Sequence, residues 1–318
     1  MTYIGFCHQV NDSLSSRTFS IYACRYGMNA FTIKDLEKLS GIKAHTIRIW
    51  EQRYNFLKPQ RSCTNIRYYS NDELKTILNI ALLNKCGFKI SHIDKMQPAE
   101  ICEKILSLRG EGVEQERIIN ELVKEMIGLQ TEKFEAIINR YIDDHGIEKT
   151  IKEIIFLFLE RVGILWQTGH IMPAQEHLVS NMVRQKLIVA IDAIPFNPGG
   201  KSCVLFLPEG EYHELGLLFL CYLVKNHGAR PIYLGANVPM KDVESVIVTM
   251  KPQIAFAHLT SNPPNFNFEK FLKTVEQRNA GIPTIVSGFP AHDYSKSIPP
   301  SIQIKRSLSD VMTVINSL

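Results

Sequence analysis

Residues 32–54 read TIKDLEKLSGIKAHTIRIWEQRY: a helix, a tight turn and a second helix in direct succession. Thr32 is placed to cap the first helix, whose apolar positions Ile33, Leu36 and Leu39 recur at helical spacing. Ser40-Gly41 ends it, because glycine adopts the left-handed conformation at a helix C-terminus without steric cost. The second helix is expected over 43–54, with Ile47, Ile49 and Trp50 among its apolar residues. A helix–turn–helix presents its second helix to the DNA major groove. Here that helix carries Lys43, His45, Thr46, Arg48, Gln52 and Arg53.

Downstream, a polar stretch with Lys58, Pro59, Arg61 and Asn65 leads into Ile66-Arg67-Tyr68-Tyr69, which reads as a short hairpin. Ser70 or Asn71 caps the next helix, Gly87 breaks it, a short helix starts near 91, and Pro98 marks a boundary. Lys58, Arg61 and Arg67 suit phosphate oxygens, contacts that set register on a duplex rather than read its bases. Tyr68 and Tyr69 are expected to bury one ring and to offer one hydroxyl to phosphate. Residues 28–96 hold 12 Lys/Arg against 6 Asp/Glu, whereas the whole chain is only +4, so residues beyond 96 are net acidic. Charge alone leaves two readings open, an anionic partner for this segment or a solvated basic face.

The residues then carry a resemblance. Thr32-Ile33-Lys34-Asp35-Leu36, Ser40-Gly41-Ile42 and the run from Ala44 to Tyr54 resemble the start of a MerR-family transcription regulator. The spelling Trp50-Glu51-Gln52-Arg53-Tyr54 is similar to the CarA/CarH/LitR branch, and Arg61 with Arg67-Tyr68-Tyr69 resembles that family's wing. The resemblance implies a winged helix-turn-helix over 28–97, with Lys43, His45, Thr46, Arg48, Arg53, Lys58, Arg61, Arg67 and Tyr68 facing a double-stranded operator. Trp50 is expected in the core. Residues 1–27 show no period and are set aside as a tail of unknown role.

The remaining chain changes character twice. Residues 98–194 carry apolar positions at a period near 3.6, broken at Gly110, Gly128, Gly146 and 169–173, and are read as a four-helix bundle. Residues 195–200 form a Pro/Gly linker. Over 201–318, five apolar runs (203–207, 230–234, 253–259, 283–287, 302–305) alternate with helical segments. That alternation predicts a doubly wound, five-stranded parallel sheet of flavodoxin-like type, giving a multidomain chain of α and α/β parts. No apolar run reaches the roughly 18 residues of a membrane span, and the N-terminus lacks signal-peptide features, so a cytoplasmic protein is expected. The seven cysteines form no C-x-x-C pair.

After the first sheet strand, residues 208–216 read PEGEYHELG. In a doubly wound fold this loop lies at the carboxyl edge, where ligands bind. His213 offers an imidazole, and Glu211 two residues earlier is placed to fix its tautomer. A lone histidine here is more often a cap or a surface residue. The arrangement nevertheless resembles the D-x-H-x-x-G signature of cobalamin-binding domains, with Glu211 for Asp. It implies His213 as lower cobalt ligand, Gly216 as a point of close ligand approach, and a nucleotide tail lodged in the sheet domain. Trp166 followed after nine residues by Glu176-His177 resembles the bundle of CarH-like photoreceptors, implying a cover over the upper face of adenosylcobalamin.

Three departures accompany the resemblance. Gln167 stands where those photoreceptors carry a histidine. Ala257-His258-Leu259 stands for Ser-x-Leu, and Ser287-Gly288 for Gly-Gly. The expected function is a cobalamin-responsive, homo-oligomeric regulator, with a response to light left open. The alternatives are an apo-regulator whose degenerate sensor only dimerises, and a corrinoid enzyme or methyl carrier, disfavoured by the DNA-binding segment. No catalytic residue is assigned, no G-x-G-x-x-G follows a strand, and the third strand ends without the Asp of a phospho-receiver.

Overall fold

The computed structural model describes residues 31–61, 65–107, 111–167, 171–261 and 266–318, so the reading of residues 1–27 as a tail lies outside the described residues. The chain divides into two compact units, one ending at His177 and the other beginning at Leu178.

In the first unit, α1 (Ile33–Ser40) opens with a reciprocal cap. Asp35 N donates to Thr32 Oγ1, and Thr32 N donates to Asp35 Oδ2 at 2.7 Å. Gly41, at φ 72°, ends it in the left-handed conformation. Helix α2 (Ala44–Arg53) follows directly. Strands β1 (Gln60–Arg61) and β2 (Arg67–Tyr68) pair antiparallel as a small wing. Paired 2.8 Å backbone bonds between Phe31 and Tyr69 tie the wing to the start of α1. Helix α3 (Asn71–Lys85) has a second reciprocal cap, Ser70 with Glu73, and α4 (Ile90–Ile93) is short. Phe31, Leu36, Ile47, Tyr69, Ile77 and Leu83 form its buried centre.

Helices α5 (Pro98–Ser107), α6 (Glu111–Ile127) and α7 (Thr131–His145) follow. The next run begins as α8 (Ile147–Thr150), widens into a π turn over Ile151–Ile155, and continues as α9 (Phe156–Gln167). Helix α10 (Pro173–Ala193) crosses the boundary between the units. Pro98, which favours the first turn of a helix, starts α5.

The second unit is a parallel sheet of β3 (Ser202–Pro208), β4 (Arg230–Val238), β5 (Ile254–Leu259), β6 (Thr284–Gly288) and β7 (Ile302–Lys305). The order is β4-β3-β5-β6-β7, with every pairing parallel, as the strand–helix alternation predicts. Helices α11 (Leu215–Asn226), α12 (Met240–Met250), α13 (Phe268–Arg278), α14 (Phe289–His292) and α15 (Leu308–Ile315) connect and close it. Val204 and Phe206 pack with Val243, Ile247, Phe271 and Leu272. The alternate residues Cys203, Leu205 and Leu207 are buried too, so β3 is covered on both faces. The chain leaves β3 toward β4 on one side and returns to β5 on the other. The junction of β3 and β5 is therefore the topological switch point, where ligands bind outside the carboxyl ends.

Candidate functional sites

Helix α2 turns Ile47 and Trp50 inward, which leaves Lys43, His45, Arg48 and Arg53 exposed and Thr46 half-buried. Lys43 lies 3.5 Å from Glu37, while Lys58 and Arg61 are exposed on the wing. Arg61 and Arg67 face each other across the hairpin and converge on one acid of α2. Arg67 Nε donates to Glu51 Oε2 at 2.7 Å, and Arg61 Nη2 lies 3.5 Å from Glu51 Oε1. Tyr69 supplies the buried ring, with its hydroxyl 3.4 Å from Glu51 Oε2, while Tyr68 is half-buried. Glu51 thus fastens the wing to the second helix of the motif. Its sequence signal was an isolated acid amid arginines in the Trp50–Tyr54 run. The face is built for polyanions: fixed basic side chains on a helix and a wing, with the apolar side consumed by packing.

In the second unit, the loop leaving β3 places Glu211 in the interior with none of its surface exposed. Its backbone is held by Glu211 N to Pro208 O at 3.1 Å and by Asn237 N to Glu211 O at 3.0 Å. Its carboxylate accepts from His213 N at 2.9 Å, Ser261 N at 2.9 Å and Ser261 Oγ at 2.8 Å. His213 Nδ1 lies 2.7 Å from the same group. Burial works to raise the Glu211 pKa, but the hydrogen bonds from His213 and Ser261 outweigh it and hold the carboxyl at about 2. An ionised carboxylate only accepts, so Nδ1 carries a proton toward Glu211, and Nε2 is the nitrogen left to offer a lone pair when the ring is neutral. The His213 side chain is 60% exposed. Next to it, Glu214 precedes α11; Tyr233 Oη donates to its Oε2 at 3.1 Å, and Arg184 pairs with its Oε1 as an ion pair at 2.9 Å.

The ends of β5 and β6 complete the crevice. His258 Nδ1 lies 2.9 Å from Ser287 Oγ, and Thr260 Oγ1 donates to His213 O at 3.2 Å. Burial drives the His258 imidazole down to about 4, against the raising effect of Glu211. A methyl group at Gly216 would stand 2.4 Å from His258 Cδ2, so the His258 ring lies against that glycine. At Gly288, φ is 102° and a methyl group would stand 2.0 Å from Leu259 O, a close strand approach that only glycine permits. His213, Glu211, Gly216, Ser287 and Gly288 thus lie at the carboxyl ends of β3, β5 and β6, linked through Ser261, Thr260 and His258. The residues that sequence alone missed are Ser261, Thr260 and Asn237, about 25 to 50 positions from Glu211 with no local signature. His258 was visible only as a departure.

In the first unit, Trp166 lies near the C-terminal end of α9 with 42% of its surface exposed, and Glu176-His177 lies near the start of α10. His177 Nδ1 is 2.7 Å from Glu176 Oε2. Among the described residues, no three His, Cys, Asp or Glu side chains converge to hold a metal ion, and no helix is long and apolar enough to cross a membrane.

Residues 31–100 match the MerR HTH family regulatory protein profile, and residues 118–190 match that of the B12 binding domain. The HTH-type transcriptional repressor CarH of Myxococcus xanthus is 27% identical over 271 residues, covering 83% of this chain and 90% of that protein. CarA of the same organism, also an HTH-type transcriptional repressor, is 28% identical over 273 residues, covering 84% and 89%. Among solved structures, the monomethylamine corrinoid protein of Methanosarcina barkeri is 12% identical, with a TM-score of 0.53. That match covers 64% of this chain and 99% of the other, a likeness of fold alone. The chain therefore joins a MerR-type helix–turn–helix to a B12-binding domain and is homologous to these repressors.

Proposed function

We propose that this chain, homologous over most of its length to two transcriptional repressors, is a DNA-binding regulator whose operator affinity responds to cobalamin. On this reading residues 28–97 bind the operator, residues 98–194 cover the upper cobalamin face, and residues 201–318 hold the lower one. The observation that carries the sensor assignment is the Glu211–His213 pair: a buried, ionised carboxylate bonded to one nitrogen of an exposed imidazole at the switch point. Such a partner orients a metal-ligating histidine and raises its basicity. A single donor of this kind suits a metal that brings its own equatorial ligands, as a corrinoid does.

The residues fit that group in definite roles. His213 would take the lower cobalt position, with Glu211 as its orienting partner. Gly216, Ser287 and Gly288 would border the ligand on the sheet side. Trp166, Glu176 and His177 would meet its upper face. When bound, adenosylcobalamin supplies a light-sensitive cobalt–carbon bond. Gln167 in place of histidine makes any light response weaker or shorter-lived. On the DNA side, Lys43, His45, Thr46, Arg48 and Arg53 of α2 and Lys58, Arg61, Arg67 and Tyr68 of the wing would contact the operator. The chain acts in the cytoplasm, as a homo-oligomer and without catalysis.

The test is the absorbance spectrum of protein incubated with adenosylcobalamin in the dark and freed of excess ligand. Wild type is expected to retain colour with a histidine-ligated, base-off spectrum, and His213→Ala to lose that spectrum and much of its affinity. The same spectrum and affinity in His213→Ala would overturn the ligand assignment. The second reading, an apo-regulator that uses its sheet domain only to dimerise, draws on the His258 ring packed against Gly216. It is favoured if wild type emerges colourless.

A further inference from the structure

The crevice at the switch point is not open. The His258 ring lies in it, against Gly216 at the start of α11 on one side and bonded to Ser287 of β6 on the other. The strand register sets this wedge. His258 pairs with Ser287 and Leu259 with Gly288, so the imidazole is carried at the carboxyl end of β5 beside the loop bearing His213. Thr260 Oγ1, which donates to the His213 carbonyl, lies 3.5 Å from the position of a Gly216 methyl and narrows the same space. A neutral, packed, hydrogen-bonded ring is part of the wall, not a mobile surface group.

A corrinoid ligated from below by a protein imidazole has lost its own base from cobalt. That base hangs on the protein side of the macrocycle and must be lodged there. The switch point lies beside His213, and in this chain the His258 ring stands there, against Gly216 and bonded to Ser287. We infer that His258 is a specificity-determining residue, a wedge that makes the site discriminate among corrinoids by what they carry beneath the ring and penalises a bulky nucleotide base. The inference rests on the cobalamin reading above. Admitting the base requires the ring to leave Gly216 and to surrender the Ser287 hydrogen bond; a corrinoid lacking the nucleotide requires neither.

The experiment titrates the full-length protein in the dark with adenosylcobalamin and with adenosylcobinamide, which lacks the nucleotide, reading absorbance. The quantity of interest is the ratio of the two dissociation constants, because the intrinsic cost of releasing the base from cobalt is common to every variant. His258→Ala should move that ratio toward adenosylcobalamin by about tenfold or more, equivalent to 1.4 kcal/mol. Ser287→Ala, which removes only the ring's anchor, should move it in the same direction by about fivefold, the scale of one hydrogen bond. Unchanged ratios in both variants, or selective loss of adenosylcobalamin in His258→Ala, would overturn the wedge while leaving the cobalamin reading intact. Failure of both corrinoids to bind wild type and variants alike would remove the cobalamin reading, and the wedge with it.

Discussion

Glu211 has no exposed surface yet stays ionised, because two residues on different loops donate into it. Burying a carboxylate is costly unless its lone pairs are met, so the pair of loops and the charge stand or fall together. Glu211→Gln keeps the shape but loses the charge that orients His213. Cobalamin affinity should fall ~10–100-fold, the usual loss when an outer partner of a metal-ligating histidine is changed. Equilibrium titration by absorbance checks this, and an affinity equal to wild type would show that His213 needs no orienting acid. On the DNA side, Arg61 is shared between Asn65 at 2.8 Å and Glu51 at 3.5 Å. Such exposed pairs are worth little, so its charge remains available to phosphate. Arg61→Ala should weaken binding to all duplexes alike and reduce the slope of log K against log salt by about 0.9. Affinities measured across a salt series decide this, and an unaltered slope would remove Arg61 from the interface.

Local chemistry wrote most of the elements. The reciprocal caps at Thr32 and Ser70 and the left-handed Gly41 follow from residue types three or one positions away, which is why both ends of the first helix were legible. The observed strands Ser202–Pro208, Ile254–Leu259 and Ile302–Lys305 lie within two residues of the apolar runs that announced them. The π turn over Ile151–Ile155 was not legible, since its apolar residues Ile151, Ile154 and Ile155 keep ordinary helical spacing. Gly288 illustrates an element-scale constraint set across strands, where β6 approaches the Leu259 carbonyl too closely for any side chain. Gly288→Ala should destabilise the sheet unit by about 2 kcal/mol or more, through left-handed strain and backbone overlap together. Urea unfolding followed by circular dichroism would show it. Stability within about 0.5 kcal/mol of wild type, the range of inconsequential substitutions, would mean that the strands can part without cost.

At the scale of the whole molecule, a single helix–turn–helix reads one half-site, and paired heads gain from effective concentration. Pro98 starts a new helix directly after α4, and residues from there on read as part of the helical bundle rather than as a separate pairing helix. On the proposed reading, the segments that hold the ligand must also do the pairing, and the required coupling is modest, since a tenfold change in affinity is about 1.4 kcal/mol. We expect adenosylcobalamin in the dark and after illumination to give different masses and different operator affinities from the apo protein, with a small or short-lived light effect because of Gln167. Light scattering and operator titration on the three states check this, and identical masses and affinities in all three would leave the apo-regulator reading in place.

By itself the sequence determined what depends on neighbours in the chain. Spacing of apolar residues set helix against strand, capping residues set helix ends, the βα alternation set a parallel sheet, and the charge run over 28–96 set this segment apart as basic. Only the tertiary structure decided what depends on distant residues meeting. Ser261 turns Glu211 from a loop acid into a buried anion, Glu51 gathers both wing arginines, and the register of β5 on β6 places His258 against Gly216. The physical reason is that periodicity and capping act over three or four residues, whereas burial and hydrogen bonding across some 50 residues exist only once the sheet has closed.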